Sequence, residues 1–232
     1  GPEEVGIGKR EPVADVAHVM SRMSDIIVIR TFLQSTIEEF AANASVPVIN
    51  ALTDHEHPCQ ALADILTITE QLGSVTGAKV AFIGDGNNVA LSLGYAVAGL
   101  GGHLVIASPD AYKLSNDSLD GANVYGKHAG GCVNQVTSPL EAVVDADIVY
   151  TDVWTSMGQE TETAKRLAAF EGYQVNPEIL DQASPNVKFM HDLPAHPGEE
   201  ISDDLLYDPR SIAFDQAENR LWAQAALMEK LV

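Results

Sequence analysis

Apolar and polar positions along the chain switch between two periods. Apolar residues at Val13, Val16, Ala17, Met20 and Met23 recur at helical spacing, so residues 11–23 are predicted to be a helix. Residues 25–30 form a short apolar run ending in Arg30, the form of a buried strand. Ile37, Phe40, Ala41 and Ala44 put an apolar face on a second helix over 34–44, and the β-branched run 46–50 reads as a strand. Residues 61–72 are the next helix. Beyond a turn-rich stretch at 73–77, strands are predicted at 79–84, 104–107, 133–136, 148–150 and 187–190. Helices at 87–100, 116–130, 139–144, 164–170 and 177–182 separate them. Residues 212–214 read as a strand closing the sheet, and 217–231 as a terminal helix. Strands alternating with helices imply parallel βαβ units, hence a doubly wound α/β fold, with a domain boundary at the 73–77 turn.

In such sheets ligands bind beyond the carboxyl ends of the strands. The predicted strands end in polar or special residues: Arg30, His57-Pro-Cys-Gln60, Gly84-Asp-Gly-Asn-Asn88, Thr151-Asp-Val-Trp-Thr-Ser-Met-Gly158 and His191-Asp-Leu-Pro194. One shared cleft explains them together. His57–Gln60 stands where a strand end meets a helix start, and Pro58 suits the first helical turn. Free N–H groups and the helix dipole there favour an anionic or polarised ligand. The plainer account is a turn whose His and Gln cap the helix. In the 151–158 loop, Asp152 could pair an ammonium while backbone N–H groups take a carboxylate, which suits an amino acid; the plainer account is a surface loop packed on Trp154. For Arg220 it is a surface salt bridge.

Two other chemistries fit less well. A dinucleotide fingerprint at 84–89 would need glycine at position 89, which is Val. His191, His196, Glu199 and Glu200 lie close in sequence, but without the helical spacing of a zinc-protease motif, so no metal is expected.

Composition narrows the partners. Thirty-three acidic residues against 13 basic ones give a net charge of −20, which argues against nucleic acid or an anionic membrane surface. The charge also fits a salt-adapted or acid-rich proteome, though solubility alone accounts for it. Two cysteines, Cys59 and Cys132, make neither a disulfide framework nor a metal site. No apolar run approaches the roughly 18 residues that span a bilayer. The first residues show no secretory signal, so cytoplasm is the default location.

Taken in order, His57-Pro-Cys-Gln60, Gly84-Asp-Gly-Asn-Asn88, Asp152-Val-Trp-Thr-Ser-Met-Gly-Gln159, His191-x-Leu-Pro194 and Glu218-Asn-Arg220 resemble the ornithine carbamoyltransferases, over essentially all 232 residues. The related aspartate enzymes lack the Asp-x-Trp-x-Ser-Met-Gly loop. The resemblance implies two doubly wound parallel-sheet domains joined by helices, the first incomplete. Residues 1–72 would be the remnant of a carbamoyl-phosphate domain with its linking helix, 73–208 the ornithine domain, and 209–232 a helix packing back on the first. Arg30, His57, Gln60, Leu193 (through its backbone carbonyl) and Arg220 would bind carbamoyl phosphate, with His57 and Gln60 polarising its carbonyl oxygen. Asn88, Asp152, Ser156 and Met157 would hold ornithine. Catalysis would rest on His57, Gln60, residue 192 and Arg220, without metal or organic cofactor, in a trimer-based homo-oligomer.

Four departures from the family pattern bear on activity. The Ser-x-Arg-Thr-Arg phosphate loop is absent, as though the chain starts after it, so this stretch alone is expected to be impaired. Gly6 stands where the family commonly has Gln or His. Asp192 replaces the cysteine beside the reacting amine; as a carboxylate it would hold that amine protonated, act as a base, or select a different amine. Pro197 replaces an Arg. A non-catalytic amino-acid-binding or regulatory relative is the alternative these departures raise.

Overall fold

The computed structural model describes residue 8, residues 10–156 and residues 159–232, together with the backbone of Glu160 but not its side chain. Gly6, Met157 and Gly158 lie outside the described residues. Two parallel sheets form. The smaller pairs β1 (Ile27–Arg30) with β2 (Val48–Leu52). Helices α1 (Val13–Met20) and α2 (Gln34–Asn43) accompany it, with Val13, Ala17, Ile27 and Phe40 as its core. Residues alternate in and out along β1, so Ile27 is buried while Val28 is 56% exposed, and Phe32 beyond the strand is 68% exposed. This side of the small sheet therefore carries exposed apolar surface.

The larger sheet contains β3 (Lys79–Ile83), β4 (His103–Ala107), β5 (Cys132–Val136), β6 (Ile148–Thr151) and β7 (Lys188–His191) in the order β5-β4-β3-β6-β7, all parallel. Helices α4 (Asn88–Gly99), α5 (Asn116–Gly126), α6 (Pro139–Val143), α7 (Thr163–Ala169) and α8 (Pro177–Leu180) connect or follow the strands. Val80, Phe82, Leu104, Ile106, Ile148 and Tyr150 face one layer with α4, while Ala81, Ile83, Val149 and Phe189 face the other with α6 and α8. Both faces are covered, which is why these strands read as continuous apolar runs. The chain steps outward from β3 to β4 and β5, then crosses back to place β6 on the other side of β3. The loops after β3 and β6 therefore diverge, and the crevice between them is the expected ligand position of an open α/β sheet.

Helix α3 (Pro58–Leu72) joins the two sheets, starting with Pro58 in its first turn and ending at Gly73, whose φ of +81° is a left-handed cap that glycine adopts without strain. Against it lies the terminal helix α9 (Ala213–Leu231). Asn219 donates to Thr67 Oγ1 (3.0 Å) and Glu70 Oε2 (2.7 Å), and Gln224 donates to the Cys59 carbonyl (3.1 Å).

The expected strand over 212–214 is not formed. Only Ser211 bridges to Phe189, and the Gln216 N–H already bonds the Ile212 carbonyl, so the segment turns into α9 at once. Buried Ala213, Gln216 and Asn219 have the spacing of a helix face, which a three-residue apolar window does not reveal. The helix predicted over 11–23 is shorter, and the one over 116–130 ends at Gly126, where 126–131 close a turn.

Candidate active site

At the crevice, Asn87 caps α4, its side-chain oxygen accepting from the Val89 and Ala90 N–H groups. The same amide donates to Asp152 Oδ2 (2.7 Å), and the Val153 N–H donates to Asp152 Oδ1 (2.6 Å). Asp152 is thus held buried at the carboxyl end of β6 with both oxygens engaged. The root of its loop is anchored by stacking of Trp154 on Phe170, centroids 5.5 Å apart. Buried Arg166 adds a 2.6 Å ion pair to Asp85 Oδ2 and a 2.9 Å bond to the Trp154 carbonyl, lying 4.9 Å over the Tyr112 ring. Burial pushes the Asp85 carboxyl up; Arg166 opposes this.

A cleft of about 440 Å³ opens beside this loop, lined in part by Asp54, Asn87, Asn88, Lys113, Gln159 and Arg166. Gly86 forms its floor: a Cβ there would lie 2.5 Å from the Leu114 nitrogen, so only glycine fits. Asn88 lines the cleft as expected, but its Nδ2 donates to the Thr53 carbonyl (2.7 Å), tying the large sheet to the residues before α3. Ser156 is half-buried and its N–H donates to Gln159 Oε1 (3.1 Å).

Beyond β7, Asp192 lies close enough to Asp152 for the two carboxyl groups to interact electrostatically. Burial first, and the charge of Asp152 second, push its carboxyl well above the usual range. Its Oδ1 has no hydrogen-bond partner among the described residues, with His191 Nδ1 3.5 Å away. Placing a second negative charge beside Asp152 in so dry a place is costly, which favours the protonated form of Asp192.

Leu193 sits at φ +58° before a cis proline, and its N–H donates to His191 Nδ1 (2.9 Å). That bond makes Nδ1 an acceptor, so a neutral His191 donates from Nε2 to buried Glu200 Oε1 (3.1 Å). Ligand atoms of His196, Glu199 and Glu200 fall within 4.8 Å of one another, so a metal-capable group exists where spacing suggested none. Glu200 Oε1, however, is taken by His191 and by the His196 N–H.

At the start of α3, His57 occupies the cap position without a side-chain cap bond, so the plain capping account does not hold. Its N–H donates to Ser92 Oγ (2.8 Å). Burial, then Arg220 and Arg30, depress the imidazole to about 4, leaving it neutral. Gln60 is buried between Arg220 and Asp64: Arg220 Nη1 donates to its Oε1 (2.5 Å), and its Nε2 donates to Asp64 Oδ1 (2.8 Å). Arg220 is thus no surface ion pair. With one amide N–H held by Asp64, the end of Gln60 turned toward Arg220 is its oxygen. An amide oxygen held this way can accept from an N–H group, while Arg220 and His57 can act as donors.

His57, Gln60 and Arg220 therefore form one cluster, with Arg30 in electrostatic reach, and Asp152, Asp192 and Leu193 form another. Asp64, Gln216, Tyr150, Asn87 and Arg166 were not foreseen. A lone Asp at the fourth position after Gln60, inside an apolar helix, was the available signal for Asp64.

The fold defines an α/β protein with an open crevice at the switch between β3 and β6. Residues 2–70 match the carbamoyl-P binding domain and residues 76–231 the Asp/Orn binding domain of aspartate/ornithine carbamoyltransferase. The chain belongs to this family. It is 51% identical over 231 residues to the anabolic ornithine carbamoyltransferase of Pseudomonas aeruginosa, covering 100% of this chain and 73% of that protein. It is 48% identical to the ornithine carbamoyltransferase of Bacillus subtilis, covering 99% and 72%. The solved ornithine carbamoyltransferase from Pyrococcus furiosus superposes with a TM-score of 0.94 at 45% identity, covering 99% and 73%. Among the described residues no helix is long and apolar enough to cross a membrane.

Proposed function

We propose that the site transfers the carbamoyl group of carbamoyl phosphate to the δ-amine of L-ornithine, giving L-citrulline and phosphate. The observation that carries this reading is the donor–acceptor pattern at the start of α3. Arg220 and neutral His57 offer donors, and Gln60 an acceptor, matching the oxygen and the N–H groups of a carbamoyl unit. Arg30 adds positive charge for the phosphate, and the Leu193 carbonyl completes the carbamoyl contacts. Across the crevice Asp152 takes the α-ammonium of ornithine, with Asn88 and Ser156 beside it and Met157 the further residue the family resemblance implies for this substrate.

The neutral amine attacks the carbamoyl carbon, the bond to the phosphate oxygen breaks, and the proton lost from nitrogen leaves with phosphate or Asp192. Positioning and stabilisation of the developing oxyanion supply the catalysis. Residues 1–72 act as the carbamoyl-phosphate part, 73–208 as the ornithine part, and 209–232 as the helix binding the two, in a cytoplasmic, trimer-based homo-oligomer.

Calorimetry tests the shared crevice. L-Ornithine titrated into the protein should bind more tightly when carbamoyl phosphate is present. A second reading, an amino-acid-binding relative without catalysis, is favoured by the Asp152–Asp192 pair; it predicts ornithine binding that carbamoyl phosphate leaves unchanged. A panel of ornithine, lysine, putrescine and acylated ornithines checks whether Asp192 has changed the accepted amine.

A further inference from the structure

Asp64 is fully buried, and its carboxyl is where three elements meet. Oδ1 accepts from Gln60 Nε2 (2.8 Å) on α3 and from Gln216 Nε2 (2.7 Å) on α9; Oδ2 accepts from the Tyr150 hydroxyl (3.2 Å) on β6. Gln216 passes the connection on, because its Oε1 accepts the N–H of His191 (2.9 Å) at the end of β7. One carboxyl thus joins the residue facing Arg220 to the turn that carries Asp192 and Leu193.

A glutamine amide has an acceptor end and a donor end of nearly the same shape, and only its partners decide which way it points. On the buried side of Gln60 stands an oxygen that already collects a second amide, so Nε2 must face inward. On the outer side stands a guanidinium that can only donate, so Oε1 must face Arg220.

We propose that Asp64 is a positioning residue for carbamoyl transfer: it fixes the Gln60 amide with its oxygen toward the carbamoyl group and, through Gln216, couples that setting to the 191–193 turn. The inference rests on the proposed reaction but makes a separate claim. Asp64 touches no substrate. Its direct contacts are with the carbamoyl half of the site, whereas the Asp152 hydrogen bonds run to Asn87 and Val153.

Two variants separate positioning from bulk stability. Asp64→Asn keeps an Oδ1 that can accept both amides and turns its new NH2 toward Tyr150, whose hydroxyl can rotate to accept. Asp64→Leu keeps the approximate size and removes the acceptor. The expected result is a KM for carbamoyl phosphate within about threefold of wild type for Asp64→Asn. For Asp64→Leu it rises at least tenfold with a fall in kcat, while the Kd for ornithine alone changes less than about twofold. Equal loss toward both substrates, or an unchanged carbamoyl phosphate KM in folded Asp64→Leu, overturns the proposal. Should Asp64→Leu not fold, Gln216→Leu reads the other arm: a raised carbamoyl phosphate KM supports the coupling and wild-type kinetics overturn it.

The side-chain amide resonances of Gln60 give a readout that needs no turnover. Wild type and Asp64→Asn should show one slowly exchanging amide proton, lost in whichever of Asp64→Leu and Asp64→Ala folds. If wild type makes no citrulline yet shows this pattern, the reaction assignment fails and the positioning does not. If the Gln60 amide in wild type exchanges like a free one, the positioning fails whatever the activity.

Discussion

Replacing Arg166 by methionine keeps most of the side-chain volume and removes the partner of Asp85. Both side chains are more than nine-tenths buried, 7% and 9% exposed, and their ion pair is 2.6 Å long. Breaking a buried pair by removing one member costs about 3–5 kcal/mol, because the remaining charge is left dry and unpaired. The loss also includes the bond to the Trp154 carbonyl. At roughly 2–4 °C per kcal/mol for a protein of this size, Tm should fall by about 6–20 °C.

The sign of the pH dependence follows from Asp85. Its folded pKa is already raised by burial, and losing Arg166 raises it further. The penalty is therefore largest well above the ordinary carboxylate range, and it shrinks as pH falls and the proton returns. Urea unfolding of Arg166→Met at about pH 8 and about pH 5 reads this directly. Asp85→Asn combined with Arg166→Met should recover much of the loss at about pH 8, since no bare charge remains. A penalty below about 1 kcal/mol at both pH values, or a double variant worse than the sum of the single ones, would refute the reasoning.

Three further outcomes are expected. His57, depressed to about 4 from 6.5, contributes stability that is complete above 6.5 and is lost as pH falls toward 4. The span corresponds to about 3 kcal/mol, and His57→Gln should flatten that part of the stability–pH curve. Ornithine brings a cationic group to the Asp152–Asp192 pair and should expel its shared proton. Its binding enthalpy should then vary with buffer ionisation enthalpy, and Asp192→Asn should abolish that variation. Gly86→Ala should destabilise by about 1–3 kcal/mol and weaken ornithine binding, because the added Cβ meets backbone on three sides; unchanged unfolding and binding would count against the close packing described there.

Periodicity located most elements because both faces of the large sheet are covered, so its strands stand out as apolar runs and its helices as amphipathic stretches. It failed at 212–214, where the buried face of α9 continues through Gln216 and Asn219, residues that a hydrophobic pattern counts as polar. The motifs at strand ends were legible because a doubly wound sheet collects its chemistry there. Orientation was not. Whether Gln60 offers a donor or an acceptor depends on Asp64 beneath it, and the upward push on the Asp192 carboxyl depends on its burial and on Asp152 beside it. Both are contacts between residues distant in the chain or hidden on a helix's inner face, with no local spacing to announce them. The position of Arg220 had the same problem: a terminal helix carries its arginine to the site only because Gln216, Asn219 and Gln224 fasten that helix along α3.

The most direct measurement is citrulline formation from carbamoyl phosphate and L-ornithine by the protein expressed from its complete gene, compared with its Gln60→Ala variant. The account predicts citrulline and phosphate released in equal amounts by the parent, and at least a hundredfold lower kcat/KM for carbamoyl phosphate in a Gln60→Ala protein of unchanged fold. Ornithine binding without any citrulline, or a variant as active as the parent, would contradict it.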